Sequence, residues 1–251
     1  MNGQVKPYVP PVTLTLKILI GLNVGIWLLG QVILEGYIGV PFTRYFALYP
    51  GKVLIEGHVW QLVTYMFLHT MAVSHILFNM LMLWFIGSEL EQRWGPKFFL
   101  FYYFSTGIGA AVIYCVGVGI HASISGFNQG LVVPVLGASG AIFGLLLAYG
   151  ILFGERIIHF MMIFPMKAKV FVLVLGAVEA VSILSSGVAG GDVANLAHLG
   201  GLLSGFLTLN GYTVWQRYLW SRKAKKRGRN LRLIVNNEPK DQKKEGPKYW
   251  H

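Results

Sequence analysis

The sequence predicts an all-α, polytopic membrane protein. Three observations carry that prediction: an apolar composition, six apolar runs of membrane length, and positive charge gathered at one end and in alternate connections. Of 251 residues, 55% are hydrophobic and 12% charged, with a mean hydropathy of +0.58. Such a composition leaves too little polar surface for a water-exposed globular protein. Six spans of about 20 residues with short connections use nearly the whole length, so no second folded domain is needed.

The elements follow in order. The start, MNGQVKPYVPPV, has neither the apolar core nor the cleavage site of a signal peptide, and Pro10 with Pro11 stops any helix before the first span. Residues 1–13 are therefore expected to be a cytoplasmic segment and the first span an uncleaved anchor. Apolar runs place spans near 14–34, 74–92, 97–118, 137–154, 168–187 and 193–214. The connection 35–73 is too long for a turn. Its piece VWQLVTYMFLH is expected to lie in the interface plane, making a partly embedded outer loop. Residues 14–215 are expected to form the transmembrane domain and 216–251 a basic tail, disordered after Val235.

Charge sets the orientation. An even number of spans puts both termini on one side, and the tail from Arg217 onward carries 12 of the 21 Lys and Arg. Adding Lys6, Lys17 and the connections 93–97 and 156–169 gives 19 basic residues on that side, against Arg44 and Lys52 on the other. Both termini are expected in the cytoplasm. The stretch SRKAKKRGRNLR adjoins a span, so it reads as an orientation signal touching anionic lipid and not as a nucleic-acid site.

Spans two, four and six then run in the same direction, and unusual polar residues stand at their outer ends. Span two opens with Ser74-His75-Ile76-Leu77-Phe78-Asn79. At about 100° per residue, positions 75 and 79 fall within about 40° of one another on the helix. Span four carries Gly137-Ala138-Ser139-Gly140 at its start, and span six carries Asn195 and His198 in its first turns. A lone Ser or Asn in a transmembrane helix more often serves as packing glue. Several such residues at one depth, drawn from three helices, point instead to a functional site.

Each residue type suits a step of amide hydrolysis. Ser139 is a nucleophile once a base removes its proton, and His198 is the candidate base. The oxyanion needs donors, which the N–H of Ser139 and the side chains of His75 and Asn79 can supply. No acid stands out as a third member. Asp192 reads as a loop residue and Glu179 as an interhelical hydrogen-bonding group, so the chemistry reduces to a Ser-His dyad. Ala197, Gly201 and Gly205 on span six, and Gly140 with Gly144 on span four, form small-residue ladders that let two backbones approach. Cys115 stands alone, which excludes an intrachain disulfide and thiolate zinc, and reads as helix packing. No HExxH, Walker loop or GxGxxG after a strand occurs, so no metal or nucleotide cofactor is expected.

GASGAIFG at 137, SHILFN at 74 and AHLGG at 197, with EQRWG at 91, together resemble the rhomboid family of intramembrane serine proteases across roughly residues 56–212. The resemblance implies a six-helix bundle in which Ser139 is the nucleophile, His198 the base, and His75 and Asn79 oxyanion donors. It also implies that Phe143 packs on the catalytic histidine, that Gly137 and Gly201 support the site, and that no cofactor takes part. It further implies an embedded outer loop over 36–73 and lateral substrate access beside residues 168–187. His69 lies six residues before His75, one more than the family pattern, and is left out of the site. The expected substrates are transmembrane proteins, and the expected location is a bacterial inner membrane with the site open to the outer side. Two alternatives stay open: an inactive relative that binds transmembrane clients, and a transporter, which the lack of inverted repeats and of several buried charges disfavours.

Overall fold

A computed structural model of the chain describes residues 10–160, 164–186 and 194–228. Asp192 and the tail after Val235, expected to be a loop residue and a disordered segment, lie outside the described residues.

Each of the six apolar runs forms a helix. α1 (Leu14–Gly25) starts at Thr13, whose hydroxyl oxygen accepts from Leu16 N at 3.2 Å, and the hydroxyl donates to the Glu91 carboxylate. The same rod continues from Ile26 to Tyr37 in a wider π-helical winding that ends with Ile38 N bonded to Ile33 O at 3.1 Å. The long outer connection folds into short helices: α2 (Phe42–Phe46), α3 (Pro50–Leu54), α4 (Gln61–Thr64) and a 3₁₀ turn at Tyr65–Phe67. Leu48, Tyr65, Met66 and Leu68 of this connection are buried in the core.

The remaining elements are α5 (Val73–Trp94), α6 (Pro96–Ser125), α7 (Gln129–Val132), α8 (Ser139–Leu152), α9 (Ala168–Ser186) and α10 (Ala194–Gly228). α6 opens with Pro at its first position and ends at Gly126. Between α8 and α9 lies a feature the sequence reading did not foresee, an antiparallel hairpin of β1 (Ile157–Phe160) and β2 (Phe164–Lys167). Its base is held by Glu155 pairing with Lys167 at 2.7 Å and with Lys169. Those two ammonium groups hold the Glu155 carboxyl down at about 2. Arg156 beside them pairs with Glu89 of α5.

Among the described residues, four helices are long and apolar enough to cross a membrane: Leu14–Tyr37, Val73–Trp94, Pro96–Ser125 and Ala168–Ser185. α8 has 14 residues, shorter than the 137–154 run predicted, while α6 and α10 run past their expected ends. The outward residues suit hydrocarbon: Leu173, Val178, Val181 and Leu184 on α9 are all exposed.

α6 lies against α8, α5 and the short helices α3 and α4. Cys115 is buried within it, as packing requires. Cross-helix bonds hold the bundle: Tyr102 O–H donates to Gly144 O at 3.0 Å, Ser204 O–H to Thr106 O at 3.0 Å and Tyr65 O–H to Gly107 O at 2.7 Å. Such bonds average about 0.6 kcal/mol each in membranes, so close packing carries most of the association. Residues from Tyr212 onward form a separate unit, of which α10 is described to Gly228.

Candidate active site

Ser139 is the first residue of α8, so its N–H has no partner inside the helix. The strand of chain leading to it is fixed from both sides. Leu48 and Val135 exchange backbone bonds at 2.9 Å in each direction, and Gly137 N donates to Tyr65 O at 2.9 Å. Gly137 then turns with φ +128°, a conformation that favours glycine. A β-carbon there would also sit 3.2 Å from the His75 ring and 3.6 Å from Ser139 Oγ. The expected support from Gly137 is thus room for two polar groups to face each other.

His198, on the second turn of α10, brings Nε2 to 2.8 Å from Ser139 Oγ. The small-residue ladders explain this approach. A β-carbon on Gly201 would fall 2.1 Å from Gly140 O, and one on Gly205 would fall 3.0 Å from Gly144 Cα, so α8 and α10 touch through backbone one turn below the Ser-His contact. Phe143 lies flat on the imidazole, with centroids 4.3 Å apart and planes 7° from parallel. The ring's other nitrogen, Nδ1, is 3.0 Å from Glu179 Oε1 of α9. Glu179 does bond between helices as expected, and its partner is His198 itself.

His75 stands near the start of α5 with Nδ1 accepting from Thr70 N at 3.1 Å. A backbone N–H can only donate, so Nδ1 is the bare nitrogen and Nε2 carries the proton of the neutral ring. That N–H lies on the Gly137 side, facing the serine's surroundings. Asn79 is buried one turn on, with Nδ2 donating to His75 O at 2.8 Å; the amide keeps a second N–H, and Oδ1 has no hydrogen-bond partner. Asn195 is buried a turn before His198.

His69, left out of the predicted site, is fully buried with its ring 5.3 Å from that of His75. Burial, and then the neighbouring His75, push its imidazole down to about 4. Both ring nitrogens lack hydrogen-bond partners, while its backbone exchanges two 2.7 Å bonds with Gln31 of the first helix. The ring therefore packs behind His75 as a neutral spacer. Two features escaped the sequence reading: the Thr70 bond to His75 and the partner of Glu179. For the second, a lone carboxylate in the middle of an apolar span was the available signal.

The family model of the rhomboid domain matches residues 56–216. The chain belongs to the rhomboid family. Among its curated relatives, this rhomboid is 30% identical to the rhomboid protease GluP of Bacillus subtilis (strain 168) over 159 residues, which is 62% of this chain and 26% of that protein. It is 35% identical to RHOMBOID-like protein 1 of Arabidopsis thaliana over 169 residues, 64% of this chain and 36% of that one. With the rhomboid protease GlpG of Serratia proteamaculans (strain 568) it shares 29% over 177 residues, 70% of this chain and 56% of that protein. The matched part thus spans about a quarter to a half of these relatives. Family membership and the apolar helices make this rhomboid a multi-pass membrane protein.

Proposed function

We propose that this rhomboid is a serine endopeptidase that hydrolyses peptide bonds in or near transmembrane segments of other membrane proteins. The observation that carries the reading is the 2.8 Å contact between Ser139 Oγ and His198 Nε2 at the meeting of α8 and α10. Relatives named as rhomboid proteases support it. Ser139 Oγ attacks the amide carbonyl carbon while His198 Nε2 takes the hydroxyl proton. The oxyanion is met by the N–H of Ser139, Nε2–H of His75 and the free N–H of Asn79. The C–N bond breaks as His198 returns its proton to the leaving amine, giving an acyl ester on Ser139. Water, deprotonated by His198, then releases the acid and restores the serine.

A continuous helix hides its amides behind its own hydrogen bonds, so the substrate segment must unwind at the cut. The shortness of α8 suits a serine recessed below the surface but reached by water. The reading includes a bacterial inner membrane as its location, with 1–13 and 216–251 flanking a 14–215 membrane domain; charge bias supports cytoplasmic termini and a site that opens to the outer side.

The test is cleavage of a transmembrane substrate reconstituted with the purified protein in liposomes. Wild type is expected to release two fragments and Ser139→Ala none, with both proteins melting alike. Client capture without fragments, or equal cleavage by Ser139→Ala, contradicts the reading.

A further inference from the structure

We infer that Glu179 is a positioning residue for hydrolysis, holding His198 in the tautomer that can accept the Ser139 proton. The inference rests on the hydrolase reading above and adds a third group to it. To act as a base, His198 must present a bare Nε2 to Ser139, so the proton of the neutral ring belongs on Nδ1. Nδ1 faces Glu179 Oε1 at 3.0 Å, and Nε2 faces Ser139 Oγ at 2.8 Å, so the carboxylate and the hydroxyl occupy opposite edges of the ring. With Phe143 on one face, three contacts from α8 and α9 fix the imidazole.

The contact is sheltered. The side chains of His198 and Glu179 are 16% and 13% exposed, and Glu179 Oε2 is buried without a partner. A carboxylate in an apolar span that served only as glue needs any interhelical donor. This one has turned its single bond to the nitrogen that decides the chemistry. The two protonation patterns of the pair have opposite consequences. With Glu179 ionised, it accepts from Nδ1–H and leaves Nε2 free. With Glu179 protonated, its O–H donates to Nδ1, the ring proton moves to Nε2, and Nε2–H points at the serine with no lone pair to offer. The ionised form also stabilises the imidazolium created when His198 takes the serine proton.

Among the described residues, the titratable groups near His198 are Glu179 from α9 and His75 from α5; Ser139 and Phe143 from α8 carry no charge.

The experiment is the steady-state kinetics of transmembrane-substrate cleavage in detergent for wild type, Glu179→Gln and Glu179→Asp. Glu179→Gln is expected to lose about 10- to 100-fold in kcat, part of the 10²–10⁴ that a general base supplies, with KM within about twofold. Glu179→Asp, which keeps a carboxylate, should restore kcat toward wild type. A Glu179→Gln kcat that matches wild type overturns the inference, and so does a loss of rate that Glu179→Asp does not restore and that comes with a lowered melting temperature, which marks simple packing. Independently of any variant, ¹⁵N spectra of labelled wild-type protein should show His198 as the Nδ1–H tautomer at neutral pH; Nε2–H overturns the inference. An active wild type with unaffected variants removes Glu179 alone, whereas a wild type that neither cleaves nor reacts removes the hydrolase reading and this inference with it.

Discussion

Two histidines flank Ser139, and they are wired in opposite senses. Nδ1 of His75 accepts a backbone N–H from Thr70, which puts the ring proton on Nε2 and makes that nitrogen a donor. Nδ1 of His198 faces a carboxylate, which suits a ring proton on Nδ1 and a bare Nε2 beside the serine. In the proposed hydrolysis the same side chain would thus serve two functions at one site, with the choice made by the group behind each ring. A residue type read from a sequence names the ring; its neighbour assigns the role.

The sharpest way to break this comparison is to give both positions the same replacement. His198→Gln cannot take a proton and is expected to lower kcat by about 10²–10⁴, measured as fragment release under saturating substrate. His75→Gln keeps an N–H to offer and should retain much of the rate, whereas His75→Ala should lose about 10²–10³. Equal losses in the two Gln variants would mean that the histidines do not differ in kind.

The next test separates them through packing. Gly201→Ala drives a β-carbon toward Gly140 O and must push α10 from α8, at a cost of about 1–3 kcal/mol. Thermal unfolding in detergent should register the loss. Cleavage should fall with it, because His198 moves off the serine while His75, on α5, stays. The smallest effect concerns the ring behind His75. The folded His69 titrates near 4 instead of the ordinary 6.5, so between those values the unfolded chain binds a proton that the folded chain refuses. Stability should therefore fall as pH drops from about 6.5 toward 4 and level off below. His69→Phe keeps a ring and removes the titration, so its melting temperature should depend less on pH over that range.

The apolar runs and three short motifs made the bundle and the serine, histidine and asparagine cluster legible, because span length and one-face spacing are local properties of the chain. The contacts that assign roles are not local. Glu179 and His198 sit 19 residues apart on different helices, and only the rotation of α9 decides which way the carboxylate faces. Thr70 lies in the loop before α5, whose path depends on Gln31 holding the His69 backbone from 38 residues away. The hairpin after α8 was missed for a related reason. Its alternation is short and mixed with Met and Phe, and its base is set by Glu155 meeting two lysines more than ten residues downstream.

Whether His198 activates Ser139 is tested most directly by labelling purified protein in detergent with a fluorophosphonate and locating the adduct by mass spectrometry. The adduct should form on Ser139 in wild type, slow by orders of magnitude in His198→Ala, and vanish in Ser139→Ala. Labelling at the wild-type rate in either variant, or an adduct on a different serine, would contradict it.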